Sequence, residues 1–302
     1  MSRRAAAGIT RVIRAPFATG AVLVLAALLA ACGGSSGGPS GSPSATASPS
    51  QSSSPSVSPT SSPSAPATST RSLYFLRAGK LGVAERAVAP STMPATAAVQ
   101  ALLAGPSSGE HAAGLSSAIP AGTKLKSLAL SGNVATVDLN QEPDTASAAL
   151  LGMPGTAELV YTLTRFSTIA GVRVRVGGRP WPSAADAGPS PVTFRRAAFR
   201  GFEPPIFVES PGVGGELPDP FVVSGTASVY EGSFTAQLTD DGGRRVVRVS
   251  VQASQGAPAR GAFRQTVVYS TSATHGTLTV YSESADDGSR QNVVTIPVNL
   301  KP

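Results

Sequence analysis

The chain opens with four arginines, Arg3, Arg4, Arg11 and Arg14, and then an unbroken apolar run over 21–31. That run is well short of the ~20 residues that a membrane-spanning helix needs. Patterning then disappears, because residues 33–72 are almost entirely Ser, Pro, Ala, Thr and Gly. Without large apolar side chains a segment cannot offset the entropy of ordering, so 32–72 is expected to be a disordered tether. As a flexible coil, ~40 residues reach about 35 Å.

Periodicity returns at Leu73. Leu73-Tyr-Phe-Leu76 reads as a short strand. Residues 94–104 predict a helix with Val99, Leu102 and Leu103 on one face, stopped by Gly105-Pro106. Two β-like runs, 124–130 and 134–139, flank the turn signal Ser131-Gly132-Asn133. Residues 156–169 predict a second helix, with Thr156 as N-cap and Leu159, Val160, Leu163 and Phe166 along one face. Val172-Arg-Val-Arg-Val176 alternates fully, which turns Arg173 and Arg175 outward. The order β-α-β-β-α-β gives an α+β domain over 73–178.

Residues 179–203 form a proline-rich connector, in which Trp181 is expected to be a packing plug between domains. Beyond it, 204–302 holds short strand-like runs at 221–223, 233–238, 245–252, 263–269, 277–281 and 292–298. They are broken by turn signals such as Asp240-Asp-Gly-Gly243 and Asp286-Asp-Gly288. No helical period occurs there, so the second domain is expected to be an all-β sandwich of the immunoglobulin-like kind.

Composition narrows the function classes. One cysteine in 302 residues excludes a disulfide framework and any multi-cysteine metal site, and two histidines leave little for a zinc centre. The formal charge of +7 is carried largely by the leader. Residues 1–31 hold four arginines and no acid, whereas 182–302 hold ten basic and eleven acidic side chains. Net charge therefore supports no nucleic-acid partner.

Arginines, a short apolar run and then Leu29-Ala30-Ala31-Cys32-Gly33 resemble a bacterial lipoprotein signal. That resemblance implies a signal peptide over 1–31, cleavage between Ala31 and Cys32, and thioether lipidation of Cys32. The expected location is the extracytoplasmic face of the cell membrane, held there by acyl chains and not by a spanning helix.

Two further resemblances follow. Leu73-Tyr-Phe, Ala101-Leu-Leu-Ala-Gly-Pro106, Ile119-Pro-Ala-Gly-Thr-Lys124, Gly132-Asn-Val-Ala-Thr-Val-Asp-Leu139 and Val172-Arg-Val-Arg-Val-Gly177, in order, resemble the GerMN domain of sporulation and spore-germination proteins. Pro205-Ile-Phe-Val-Glu-Ser-Pro211, Phe221-Val-Val-Ser-Gly-Thr-Ala-Ser-Val-Tyr-Glu-Gly232, Gly276-Thr-Leu-Thr-Val280 and Ile296-Pro-Val-Asn-Leu300 resemble the Gmad2 immunoglobulin-like domain. Together they imply a non-enzymatic adaptor or scaffold of the cell envelope, with another envelope protein as partner.

Candidate chemistry is sparse. Gly105-Pro-Ser-Ser-Gly109 matches G-x-S-x-G, but a nucleophile elbow needs a strand before it and a helix after it. This one follows a helix end and is expected to lead into a loop, so a serine hydrolase using Ser107 and His111 is the remote alternative. His275, Asp240/Asp241 and Asp286/Asp287 read as turn residues, and Asp138 as a cap on a helix or turn. No catalytic set, cofactor motif or metal-ligand spacing is found. Arg173 and Arg175 are candidate contacts to anionic wall polymer or a protein, and Glu231 a candidate contact within Val-Tyr-Glu-Gly. Peptidoglycan binding is the nearer alternative to the adaptor.

Overall fold

In the computed structural model the described residues are 69–140, 153–182, 188 and 190–301. Ala31, Cys32 and nearly all of the expected tether lie outside them.

The α+β domain begins with a hairpin, β1 (Ser69–Arg77) and β2 (Lys80–Val88), paired antiparallel along its whole length. Its two-residue turn is Ala78-Gly79, with φ of 48° and 75°. Positive φ at both positions is the geometry that matches strand twist in a tight hairpin. Helix α1 (Pro94–Leu103) starts with proline at its first position and buries Ala95, Ala98, Val99 and Leu102. A one-turn helix, α2 (Ser108–Ala112), follows. Strands β3 (Leu125–Ser131) and β4 (Val134–Leu139) pair antiparallel, and β4 pairs parallel with β5 (Gly171–Val176). A parallel pair needs a long crossover. Helix α3 (Met153–Leu163) lies on it and packs on β1. β6 (Arg179–Trp181) completes the sheet in the order β3-β4-β5-β6.

The domain is thus α+β with one strand more than expected before its first helix. Three local expectations are corrected. The segment at 80–88 is a strand, although Gly82, Glu85 and Arg86 blur its alternation. Gly82 is accommodated because Leu115 occupies the space where a side chain would stand, 2.8 Å from an added Cβ. The second helix runs from Met153 to Leu163, so Thr156 is a buried interior residue and not its N-cap. Leu159, Val160 and Leu163 are fully buried, but Phe166 lies beyond the helix and is only partly buried.

The connector is packed. Phe194 bridges to Val172 at the sheet edge, and residues Arg196–Phe202 form a 3-10 helix against α3. Trp181, Phe194, Phe199 and Phe202 stack in series, with successive ring centroids 5.9, 5.7 and 6.4 Å apart. Trp181 therefore packs on the connector's own aromatics.

The second domain is a two-sheet sandwich. One sheet has the order β12 (Gly261–Val267), β9 (Phe221–Ala227), β7 (Ile206–Ser210). The other is β11 (Arg245–Gln252), β10 (Ser233–Asp240), β13 (His275–Glu283), β14 (Arg290–Leu300), β8 (Glu216–Leu217). Along β10, Phe234, Ala236 and Leu238 alternate inward. Phe234 meets Phe263 of the facing sheet edge-on at 4.9 Å, an arrangement aromatic quadrupoles favour.

Candidate functional site

The hairpin β1–β2 is where the two domains join. Continuous burial from Leu73 through Leu76 leaves that stretch of β1 no solvent face. Helices α1 and α3 pack on β1, and β2 lies against β7 of the sandwich. The outer edge of β2 pairs with the second domain: Glu85 N–H donates to Val213 O at 2.9 Å and Val213 N–H to Val83 O at 2.8 Å. Glu85 Oε1 also accepts the Gly212 N–H at 3.1 Å. Burial pushes the Glu85 carboxyl up, and the Gly212 N–H offsets part of that.

Beside this edge lies a polar cluster on an aromatic floor. Tyr74, Tyr161 and Phe207 come from β1, α3 and β7, with ring centroids 5.6 to 6.1 Å apart. Tyr74 O–H donates to Glu209 Oε1 at 2.7 Å, and Arg196 Nη1 donates to the same oxygen at 2.5 Å. Arg196 also donates to Thr164 Oγ1 and Tyr161 O, and its guanidinium lies 4.6 Å from the Tyr161 ring centre. Tyr161 O–H donates to Glu203 Oε1 at 2.5 Å, and Arg260 pairs with the other Glu203 oxygen at 3.0 Å. Both phenols are pushed up, by burial first and then by the neighbouring carboxylates. Both phenols are neutral and donate to a carboxylate, and Tyr74 Oη also accepts from Arg196 Nη2 at 3.4 Å.

The G-x-S-x-G segment is a helix start. Ser107 caps α2: its side chain accepts the Glu110 N–H, and its own N–H donates to Glu110 Oε2 at 2.6 Å. This is the reciprocal capping box, whose sequence signal is Ser107-x-x-Glu110. The segment thus leads into a short helix and not into a loop. Glu110 is further held by Arg86, which also donates to the carbonyls of Ala101 and Gly105 at the end of α1. Burial pushes Glu110 up, but Arg86 and the Ser107 N–H outweigh it and leave its pKa below the ordinary value. His111 is exposed on α2.

The other singled-out residues are dispersed. Arg173 and Arg175 are exposed on β5, opposite Thr136 and Asp138 of β4. Arg173 Nε donates to Thr193 Oγ1 at 2.8 Å. Asp138 caps a turn, accepting the Gly178 N–H at 2.9 Å. Glu231 sits at φ 51° in a turn, with its carbonyl accepting from Gln252 Nε2 at 2.7 Å. Its side chain is exposed along a cleft of about 530 Å³ shared with Ser282 and Glu283. Asp240 accepts the Arg244 N–H at 2.8 Å and Asp287 the Ser289 N–H at 3.0 Å, both as turn residues. His275 begins β13, its ring next to Thr274 Oγ1. Among the described residues no three His, Cys, Asp or Glu side chains are grouped to hold a metal ion, and no helix is long and apolar enough to cross a membrane.

An α+β domain joined through its first hairpin to an immunoglobulin-like sandwich is the class of molecule on view. Residues 72–181 match the Germane family, described as sporulation and spore germination, and residues 205–289 match Gmad2, the immunoglobulin-like domain of bacterial spore germination. The chain carries a GerMN (Germane) domain followed by a Gmad2 domain, and through the first it is related to sporulation and germination GerMN proteins. Neither family is a known catalytic one.

Among solved structures the chain is similar to the tandem GerMN domains of the sporulation protein GerM from Bacillus subtilis, at 18 % identity and TM-score 0.35, over 61 % of this chain and 60 % of that one. It thus spans about 60 % of that relative's length. It is also similar to the first GerMN domain of GerM alone, at 19 % identity and TM-score 0.33, over 43 % of this chain and 99 % of that one. A candidate lipoprotein from Clostridium perfringens is 20 % identical, with TM-score 0.28, over 43 % of this chain and 89 % of that one. No curated protein matches.

Proposed function

We propose that this chain is a lipid-anchored adaptor on the extracytoplasmic face of the cell membrane, working by contact with an envelope protein and not by bond-making. The observation that carries the adaptor reading is the joint between the domains. Main-chain pairing at Val213 and the Tyr74–Glu209–Arg196 cluster hold two domains as one body, which suits a spacer that presents fixed surfaces. The anchor reading is supported by the sequence alone: Cys32, the single thiol, directly follows Leu29-Ala30-Ala31. Labelled palmitate is expected on the wild-type chain and not on Cys32→Ala, and the variant is expected to leave the membrane fraction. Equal labelling or equal fractionation would remove the anchor. Crosslinking in intact cells is expected to recover one reproducible envelope protein, and its absence in repeated captures would remove the adaptor.

A second reading is favoured by the outward pair Arg173 and Arg175 on an open sheet face, where two cations stand two residues apart on one strand. Retention on purified peptidoglycan at low salt, lost in the Arg173→Gln, Arg175→Gln double variant, would select wall binding.

A further inference from the structure

Between the β1–β2 turn and the sandwich lies a cavity of about 190 Å³ that no known role explains. Its walls are apolar: Leu81 and Val83 from β2, Ile206 and Phe207 from β7, Val294 and Ile296 from β14. Val293 at its rim is half exposed. The charged residues lining it are Arg77 and Lys80, both cations; no carboxylate lines it among the described residues. Lys80 Nζ donates to Gly201 O at 2.8 Å and retains donor capacity. Arg77 donates once, from Nη1 to Thr295 O at 2.9 Å. Its Nε and Nη2 are buried without an acceptor. Buried guanidinium donors without partners are costly. A small rearrangement of one flexible side chain toward an anion in the cavity would relieve that cost.

An apolar pocket bounded by cations and free of acids has a defined complement. We propose that this cavity binds a single-chain anionic amphiphile, its apolar chain between β2, β7 and β14 and its carboxylate or similar head on Arg77 and Lys80. A neutral or cationic chain of equal length would gain the apolar contacts without the charge-assisted hydrogen bonds. The site does not depend on the anchor or the adaptor reading, because it lies wholly within the folded domains.

The test uses the full chain in solution, with and without added phosphatidylglycerol vesicles, and a diazirine-bearing decanoate as the photoreactive probe, with labelled peptides mapped by mass spectrometry. Label is expected on 204–208 and 292–296. Excess octanoate is expected to compete it away and octylamine to leave it. Arg77→Gln should raise the octanoate midpoint by about tenfold or more. Lys80→Gln provides the same readout if Arg77→Gln lowers the melting temperature. Val293→Trp, at the rim and outside the core, should block labelling by occupancy. Label scattered over the surface, equal competition by octylamine, or unchanged midpoints in both charge variants would overturn the proposal. So would label that requires added phosphatidylglycerol vesicles and resists octanoate, because that pattern belongs to a bilayer surface.

Discussion

Glu158 stands on a side of α3 that water does not reach. Its carboxylate accepts the Ala118 N–H at 2.6 Å and the Ser117 hydroxyl at 2.7 Å. Burial nonetheless dominates and pushes its pKa from 4.5 to about 7. A raised carboxyl pKa means that the fold holds the proton more tightly than the unfolded chain. The stability this contributes is complete below pH 4.5 and is lost as pH rises through about 7. Thermal melts are therefore expected to show this decline across that window, and Glu158→Gln to flatten it. An unchanged slope in the variant would contradict the assignment. Arg196 makes a second prediction at this scale. Its side chain is 30 % exposed and that of Glu209 18 %, so removal should cost near the lower end of the ~3–5 kcal/mol typical of breaking a buried pair. Urea unfolding of Arg196→Ala is expected to show a loss of about 3 kcal/mol.

At the scale of elements, caps and close approaches decide what the local sequence can do. α2 is too short to persist without its capping box, so Ser107→Ala should cost about 1 kcal/mol in chemical denaturation, the usual worth of an N-cap. A much smaller loss would mean that the cap contributes little. β9 depends on Gly225. A Cβ there would stand 2.0 Å from Phe207 O of the neighbouring strand, a main-chain atom that cannot step aside. Gly225→Ala is expected to destabilise the sandwich toward the top of the ~1–3 kcal/mol range of overpacking. A neutral result in denaturant titration would show that β7 and β9 can separate locally.

Across the molecule, the hairpin β1–β2 belongs to both halves. It supplies one domain with its first strands and gives the other a paired edge at Val213. Because the aromatic floor, the Glu209 cluster and the Val213 pairing would all be exposed by separation, the two domains are expected to unfold in one calorimetric transition, with van't Hoff and calorimetric enthalpies in agreement. Two resolved transitions would show that the joint is weaker than its contacts. Disruption of the joint by Arg196→Ala is the variant most apt to split them.

How much of this was legible depended on the range of the interaction. β4 and β11 could be read residue for residue, because alternation and turn signals are local properties of the chain. β2 could not, because Gly82 takes its meaning from Leu115 and its turn residue Ala78 is held at positive φ by the pairing around it. The capping box at Ser107 is a local pattern, Ser107-x-x-Glu110, that overlaps the G-x-S-x-G motif. By itself the sequence determined the domain order, the α+β and sandwich classes and the solvent-facing arginines of β5, since each follows from periodicity within a few residues. Only the tertiary structure decided that the connector packs, that Tyr74 and Tyr161 meet Glu209, Arg196 and Glu203, and that Arg77 and Lys80 border an apolar cavity. The hairpin, α3, the 196–209 segment and β14 stand far apart in the chain, and it is the burial of the hairpin between two domains that brings their side chains together.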